Sequence, residues 1–132
     1  MKPLSLARLP TPLQHLPGPS ARLGAEIWVK RDDLTGMGLS GNKIRKLDYL
    51  LAEARQQDAT CVITTGGIQS NHCRATALAA RTLGIRPHQV LRGSPPAGGF
   101  DGNLLLDGIL GAEIHWITAE QYADRDAIMA AH

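Results

Sequence analysis

A lysine at the start of a predicted helix is the side chain of this sequence best placed for covalent chemistry. Lys43 stands in the first turn of a helix predicted from about residue 42 to residue 56. The positive end of the helix macrodipole disfavours a charged amine there, and Lys46 adds a second positive charge one turn further on. Both effects favour the neutral amine, which attacks carbonyl compounds to form Schiff bases. Most lysines are simply solvated, but this context predicts an amine nucleophile at Lys43 beside a cation suited to a phosphate.

A polar turn at residues 66–72 is the second candidate site. Ser70, Asn71 and His72 are consecutive side chains able to exchange hydrogen bonds, and they open a helix predicted from Ser70 to Leu83. A free helix N-terminus favours anions, and the two preceding glycines let a ligand approach the backbone. A plain helix cap would explain one Ser or Asn, because both are preferred N-cap residues, but not three such side chains in a row. The turn therefore predicts a ligand site.

Nucleotide-binding motifs fit this sequence poorly. Residues 36–41 match G-x-G-x-x-G literally, yet a charged loop precedes Gly36 where the dinucleotide fingerprint needs the end of a strand. No acidic residue closes the next strand, since Asp58 comes before it. Asn42 separates Gly41 from Lys43, which breaks the P-loop pattern. Dinucleotide and P-loop binding are therefore not predicted.

Alternating strand and helix patterns must position the two candidate sites. Apolar runs and helical periodicity predict strands at 26–30, 60–64, 88–91 and 113–117, and helices at 42–56, 70–83 and 103–110. The first helix should bury a stripe made of Ile44, Leu47, Leu51 and Ala54. The proline-rich residues 1–25 are predicted to be an extended lead-in. Such alternation predicts an α/β fold, a parallel sheet with flanking helices.

Composition narrows the class of protein. The 132 residues are 43% apolar with a net charge of +2, which suits a folded domain and gives no basic block for nucleic acid. No apolar run reaches signal-peptide length or the roughly 20 residues of a membrane span, so we expect a cytoplasmic protein with no membrane partner. Cys61 and Cys73 lack metal-ligand spacing, so no metal site is predicted.

The C-terminal residues predict an interrupted element. Thr118 and Gln121 have capping-box spacing, so a helix should begin at Ala119, yet the sequence ends at His132 with no helix stop signal. We therefore expect residues 1–132 to be a piece of a longer chain and to be inactive alone.

Four sequence segments carry a family resemblance. They are Ile-Trp-Val-Lys-Arg-Asp-Asp at 27–33, Gly-Asn-Lys-Ile-Arg-Lys-Leu at 41–47, Gly-Ile-Gln-Ser-Asn-His at 67–72 and Gly-Asn-Leu-Leu-Leu-Asp at 102–107. In this order they resemble the tryptophan-synthase-β-like pyridoxal-phosphate enzymes of fold type II, specifically the branch that contains D-cysteine desulfhydrase and 1-aminocyclopropane-1-carboxylate deaminase.

The resemblance implies a role for each site residue. Lys43 would carry pyridoxal 5'-phosphate covalently and act as the catalytic base, and Lys46 would contact its phosphate. Asn71 would hydrogen-bond the ring hydroxyl, and Ser70 would be the active-site serine beside the substrate. The backbone at Ser70, Asn71 and His72 would receive the substrate carboxylate. The Asn-His pair is similar to desulfhydrase-like members, whereas the deaminase typically has Asn-Gln.

The resemblance also implies an activity and a domain plan. It implies a lyase that converts D-cysteine to pyruvate, ammonia and sulfide, with the deaminase or a cysteate sulfo-lyase as alternatives. Residues 1–46 would belong to the large cofactor domain and 47–132 to the small α/β domain of a homodimeric enzyme. The phosphate loop, the substrate-side tyrosines and the partner of the pyridine nitrogen would lie downstream. A rival interpretation is a non-catalytic module that binds a small anion at its helix ends.

Overall fold

The fold contains two separate sheets. A computed structural model describes residues 2–36 and 41–132 of the chain. A two-stranded antiparallel sheet pairs β1 (Leu13–His15) with β2 (Trp28–Lys30), and α1 (Pro17–Leu23) lies between them in the sequence. The second sheet is parallel and has the order β3 (Cys61–Gly67), β4 (Arg86–Arg92) and β5 (Glu113–Ile117).

Helices connect and flank the parallel strands. They are α2 (Lys43–Gln56) before β3, α3 (Asn71–Thr82) between β3 and β4, and α4 (Gly102–Ile109) between β4 and β5. A 3-10 turn at Gln121–Asp124 and α5 (Arg125–Ala130) follow β5. The register runs from Cys61 opposite Arg86 to Gly67 opposite Arg92, and β4 pairs with β5 in the same direction. The predicted α/β class with a parallel sheet is confirmed.

The core lies mainly where α2 and α3 pack together. Ile44, Leu47 and Leu51 are at most 4% exposed, as the predicted stripe requires, while Ala54 is only half-buried. These side chains form one cluster with Ala7, Ala75 and Ala79. A second cluster, made of Cys73, Leu91 and Leu104, joins α3 and α4 to the central strand β4. Both helices that open the candidate sites are therefore fixed by buried apolar contacts.

The lead-in is more structured than its prolines predicted. The extended segment expected for residues 1–25 instead contains β1 and α1. Proline is compatible with both, because Pro17 occupies the first helical turn, where no backbone donor is needed, and Pro12 comes just before β1. Gly24 ends α1 in the left-handed conformation. Strand β2 is shorter than predicted, with only three residues.

The end of β3 also differs from the prediction. Gly66 and Gly67 were predicted in the turn, but they pair with Leu91 and Arg92 as the last residues of the strand. A Cβ atom on Gly66 would lie 2.6 Å from Oγ of Ser70 and 2.8 Å from Sγ of Cys73. Glycine is therefore required at this position by the close packing of α3.

The last helix begins later than predicted. The capping box forms, since the Thr118 amide donates to Oε1 of Gln121 at 2.8 Å and the Gln121 amide donates to Oγ1 of Thr118 at 3.2 Å. The following turn is nevertheless 3-10, and α5 begins at Arg125. Among the helices of the described ranges, none is both long and apolar enough to cross a bilayer. Residues 37–40 of the glycine motif lie outside the described residues.

Candidate active site

Lys43 is the first residue of α2, and Gly41, just before it, is hydrogen-bonded to the loop that follows β2. The Gly41 amide donates to the Asp32 carbonyl at 3.0 Å, and the Thr35 hydroxyl, which is fully buried, donates to the Gly41 carbonyl at 3.1 Å. Lys43 is half-buried and Lys46 is exposed. The start of α2 is therefore held relative to the loop that follows β2.

An ion pair reinforces this turn. The Arg45 guanidinium donates to both oxygens of Asp32, at 2.7 and 2.8 Å, and the Thr11 hydroxyl donates to the same carboxylate at 3.0 Å. The hydrogen bond from Arg45, with smaller contributions from Thr11 and nearby charge, lowers the pKa of Asp32 to about 2. Asp32 is therefore ionised throughout the physiological range, and it joins the lead-in, the loop after β2 and the first turn of α2.

Ser70 caps α3. Its hydroxyl oxygen accepts the Cys73 amide at 3.2 Å, with an extended backbone at Ser70. Asn71, the first residue of α3, is exposed, and its Oδ1 accepts a hydrogen bond from Asn103 at 3.1 Å. The predicted site residues Ser70 and Asn71 thus stand at the helix start, as the sequence indicated, and Ser70 makes the cap contact that the alternative interpretation required.

His72, near the start of α3, is influenced by the charges of the two lysines near the start of α2. Burial is the main cause that lowers its pKa, and the positive charges of Lys46 and then Lys43 lower it further. The ring lines a cavity of about 210 Å³ together with side chains of α2 such as Leu47 and Leu51. Its Nδ1 atom is buried and has no hydrogen-bond partner in the part of the chain that is described. The fold therefore brings His72 within the field of both lysines and keeps it neutral near pH 7.

The sequence interpretation assigned no site role to several residues around α4. Asn103 and Gln69 bind each other across the α3 and α4 starts, and Arg74 donates to Oδ1 of Asn103 at 3.0 Å. Asp107 is fully buried, and no hydrogen bond to either carboxylate oxygen is formed among the described residues. Burial raises the pKa of Asp107 to about 6, although the nearby Gln89 amide and Arg74 charge act in the opposite direction. The sequence signal that could have indicated the burial of Asp107 is its position three residues after Leu104, on the same face of α4.

Comparison with known proteins assigns the class. Residues 4–132 match the family model described as "Pyridoxal-phosphate dependent enzyme", and the chain belongs to this family. It is 52% identical over 123 residues to the mitochondrial bifunctional D-cysteine desulfhydrase/1-aminocyclopropane-1-carboxylate deaminase of Arabidopsis thaliana, covering 90% of this chain and 31% of that protein. It is 47% identical over 105 residues to the D-cysteine desulfhydrase of Salmonella paratyphi B, covering 80% and 31%.

A solved structure shows the same fold. The crystal structure of a homologue of 1-aminocyclopropane-1-carboxylate deaminase superposes with a TM-score of 0.85 at 43% identity. The match covers 97% of this chain and 40% of that one. The chain thus spans between about a third and two fifths of the length of these relatives.

The residues present fit the family's cofactor. Neither Lys43 nor Lys46 forms an ion pair with a carboxylate of the described ranges, so their charges are not neutralised there by the protein. Pyridoxal phosphate combines an aldehyde, which reacts with an amine, and a phosphate, which requires a cation. A half-buried amine at Lys43 and an exposed one at Lys46 match those two groups. The space above Gly67 is open, because a Cβ atom there would meet nothing within 4 Å.

Proposed function

We propose that the protein is a pyridoxal-phosphate-dependent lyase that acts on D-cysteine and releases pyruvate, ammonia and sulfide. The Arabidopsis and Salmonella relatives, both named as D-cysteine desulfhydrases, support this activity. The Asn71-His72 pair supports it too, because it resembles the desulfhydrase pattern. The observation that carries the proposal is the half-buried amine of Lys43 at the first residue of α2, near Lys46, with no carboxylate partner for either lysine among the described residues.

In this proposal, the lysines of α2 have distinct tasks. Lys43 holds the cofactor through its amine and, once released by substrate, moves the proton of the substrate α-carbon. Lys46 lies one turn further along α2 and is exposed, so it suits a contact with the phosphate. The cofactor, when bound, supplies the electron sink that makes loss of the α-proton and of the β-substituent possible. The Asp32–Arg45 pair keeps the α2 start in place during these steps.

The start of α3 binds and orients in this proposal. Asn71 holds the ring hydroxyl, Ser70 stands beside the substrate, and the backbone at residues 70–72 receives the substrate carboxylate at a helix N-terminus. A neutral His72 suits this place, because it leaves the positive charge of the site to the lysines. The site thereby separates covalent chemistry on α2 from anion recognition on α3.

The activity is tested by substituting lysines in the full-length protein. Lys43→Ala should lower the rate of sulfide release from D-cysteine by roughly 10³-fold or more, because both the covalent link to the cofactor and the catalytic base are lost. Lys46→Ala should mainly raise the cofactor concentration needed for activity. Lys2→Ala, at an exposed position outside the site, is the matched control and should behave as wild type. Sulfide release retained by Lys43→Ala would refute the assignment.

Ring opening by the deaminase route is the second candidate, because the name of the Arabidopsis relative contains both activities. A panel of D-cysteine, L-cysteine, cysteate and the cyclopropane amino acid, scored for sulfide, sulfite and ammonia, separates the candidates. Ammonia from the cyclopropane substrate alone would overturn the desulfhydrase proposal. We expect His72→Gln to shift the ratio of the two activities toward the deaminase.

We further propose the context of the enzyme. The full-length protein would be a cytoplasmic homodimer, with residues 1–46 in the cofactor domain and 47–132 in a small domain. Light scattering on the full-length protein tests the dimer, and a monomeric mass would contradict it. The rival binding module predicts a colourless protein whose anionic ligand is removed by dialysis, whereas a covalently bound cofactor gives a persistent yellow colour.

A further inference from the structure

Asn103, in the first turn of α4, touches the start of α3 through four hydrogen bonds. Its Nδ2 donates to the Gln69 carbonyl at 2.8 Å and to Oδ1 of Asn71 at 3.1 Å. Its backbone amide donates to Oε1 of Gln69 at 2.8 Å, and its Oδ1 accepts from Arg74 at 3.0 Å. The α4 start therefore fastens the turn that carries Asn71.

The partners of Asn103 define which way its amide points. A backbone carbonyl only accepts hydrogen bonds and a guanidinium only donates them, so Nδ2 must face Gln69 and Oδ1 must face Arg74. The atom that Asn103 presents to Asn71 is consequently a donor. Asn71 must therefore accept this hydrogen bond with its Oδ1 atom, which leaves its own Nδ2 directed away from Asn103. No described residue accepts a hydrogen bond from that Nδ2.

The close contact at this turn depends on a glycine. Gly102 has a φ of +50°, and a Cβ atom there would lie 2.6 Å from Oε1 of Gln69. A side chain at this position would displace the end of the Gln69 side chain, and the positive φ also favours glycine. Gly102 and Asn103 thus hold residues 69–71 in place, and we call this pair the α4 clamp.

We propose that Asn103 is a positioning residue that fixes the Asn71 amide with its N–H donor facing an acceptor oxygen of the bound cofactor. This inference rests on the proposed function. Reversing the Asn71 amide would set two donors against each other and lose one hydrogen bond, so the outward N–H is strongly favoured. The clamp therefore makes the site selective for a ring that carries an oxygen acceptor at this position.

The test compares pyridoxal phosphate with its analogue that lacks the ring hydroxyl, by titration of the cofactor-free, full-length protein. The intrinsic effect of the hydroxyl on covalent chemistry is common to all variants and cancels between them. Asn71→Ala should reduce the preference of wild type for the hydroxylated cofactor by roughly tenfold, and Asn103→Ala by roughly three- to tenfold. The affinity for the analogue should change little in either variant.

A second variant keeps the shape of the side chain. Asn103→Asp retains an acceptor for Arg74 but presents an oxygen both to the Gln69 carbonyl and to Asn71, whose amide should then reverse and turn its own oxygen toward the cofactor. We expect this variant to lose more of the preference than Asn103→Ala does. Asp101→Ala is the matched control, because it removes a contact of Gln69 and leaves the Asn103–Asn71 hydrogen bond intact. It should keep the wild-type preference.

The outcomes separate this inference from the proposed function. A protein that forms no covalent cofactor adduct at Lys43 would overturn the function itself. A normal adduct at Lys43, with the same preference in wild type, Asn103→Ala and Asn103→Asp, would overturn the positioning role alone. Equal loss of affinity for both cofactors in the Asn103 variants would also overturn it, because a merely structural residue has that effect.

Discussion

The turns before α2 and α3 both open a helix toward the proposed site, but opposite kinds of contact hold them. The α2 turn depends on the Asp32–Arg45 ion pair, whose side chains remain 21% and 36% exposed. The α3 turn depends on neutral amides, with Asp107 fully buried on α4, the neighbouring helix. One acid therefore has a pKa of about 2 and the other of about 6. Burial and direct hydrogen-bonded ion pairs, and not residue type, therefore decide in which direction the pKa of each carboxyl group is shifted.

The two helices also differ in how they pack. α2 buries large aliphatic side chains, whereas α3 buries mainly Cys73 and small residues, namely Ala75, Thr76, Ala77, Ala79 and Ala80. Truncating a side chain can therefore open a cavity under α2 but hardly under α3. This difference predicts that α2 is the element most sensitive to truncation.

The largest expected effect comes from Leu47→Ala on α2. Leu47 is 2% exposed, so the substitution should lower the free energy of unfolding by about 2–5 kcal/mol through lost burial and a cavity. Leu50→Ala is the matched control on the same helix, because Leu50 is 51% exposed. Urea unfolding of the two variants measures the difference. Similar losses in both would show that the α2 stripe does not support the site.

Asp107→Asn should change the free energy of unfolding less than Leu47→Ala does. Near neutral pH it should raise this free energy, whereas Leu47→Ala lowers it. A folded-state pKa raised from 3.8 to about 6 gives stability that is present below pH 4 and lost as the pH rises through 6. The variant should escape that loss and become more stable than wild type by roughly 1–3 kcal/mol at pH 7. Denaturation between pH 4 and pH 8 tests this, with the exposed Asp124→Asn as control. A stability difference that does not vary with pH would contradict it.

Asp32→Asn should show a pH dependence of stability opposite to that of Asp107→Asn. Its effect on the free energy of unfolding should be the smallest of the three. A pKa lowered to about 2 gives stability that is present above the unfolded value of 3.8 and lost as the pH falls toward 2. Wild type should therefore exceed the variant in stability at pH 7, and this advantage should shrink below pH 4. Asp33→Asn is the control, since Asp33 forms its ion pair with Arg31, two residues earlier in the chain. A stability difference between wild type and Asp32→Asn that stays constant down to pH 2.5 would show that the Asp32 pKa is not lowered by its ion pair.

Much of this architecture could be predicted from the sequence. Apolar runs and helix periodicity located every parallel strand, and β5 matched at both ends. The position of Lys43 and of Ser70 at helix starts also followed from local signals. The reasons for Gly66 and Gly102 did not, because a Cβ atom at either position would lie 2.6 Å from a side chain, that of Ser70 or Gln69, which approaches it only in the folded chain.

Other features depended on contacts distant in the sequence. Asn103 belongs to a string that carried the family resemblance, yet its hydrogen bond to Asn71 joins residues 32 positions apart. Likewise β1 pairs with β2 across α1, and its three residues gave little periodicity to detect. Local patterns thus predicted where α2, α3 and α4 start, to within one residue, whereas the contacts that orient their side chains required the tertiary structure.

Covalent mapping of the cofactor tests the central assignment most directly. The full-length protein is loaded with pyridoxal phosphate, reduced with borohydride and digested, and the modified peptide is sequenced by mass spectrometry. The account predicts a single cofactor adduct on Lys43, still present in Lys46→Ala and absent in Lys43→Ala. An adduct on Lys46 or on a lysine outside α2, or an adduct that persists in Lys43→Ala, would contradict the account.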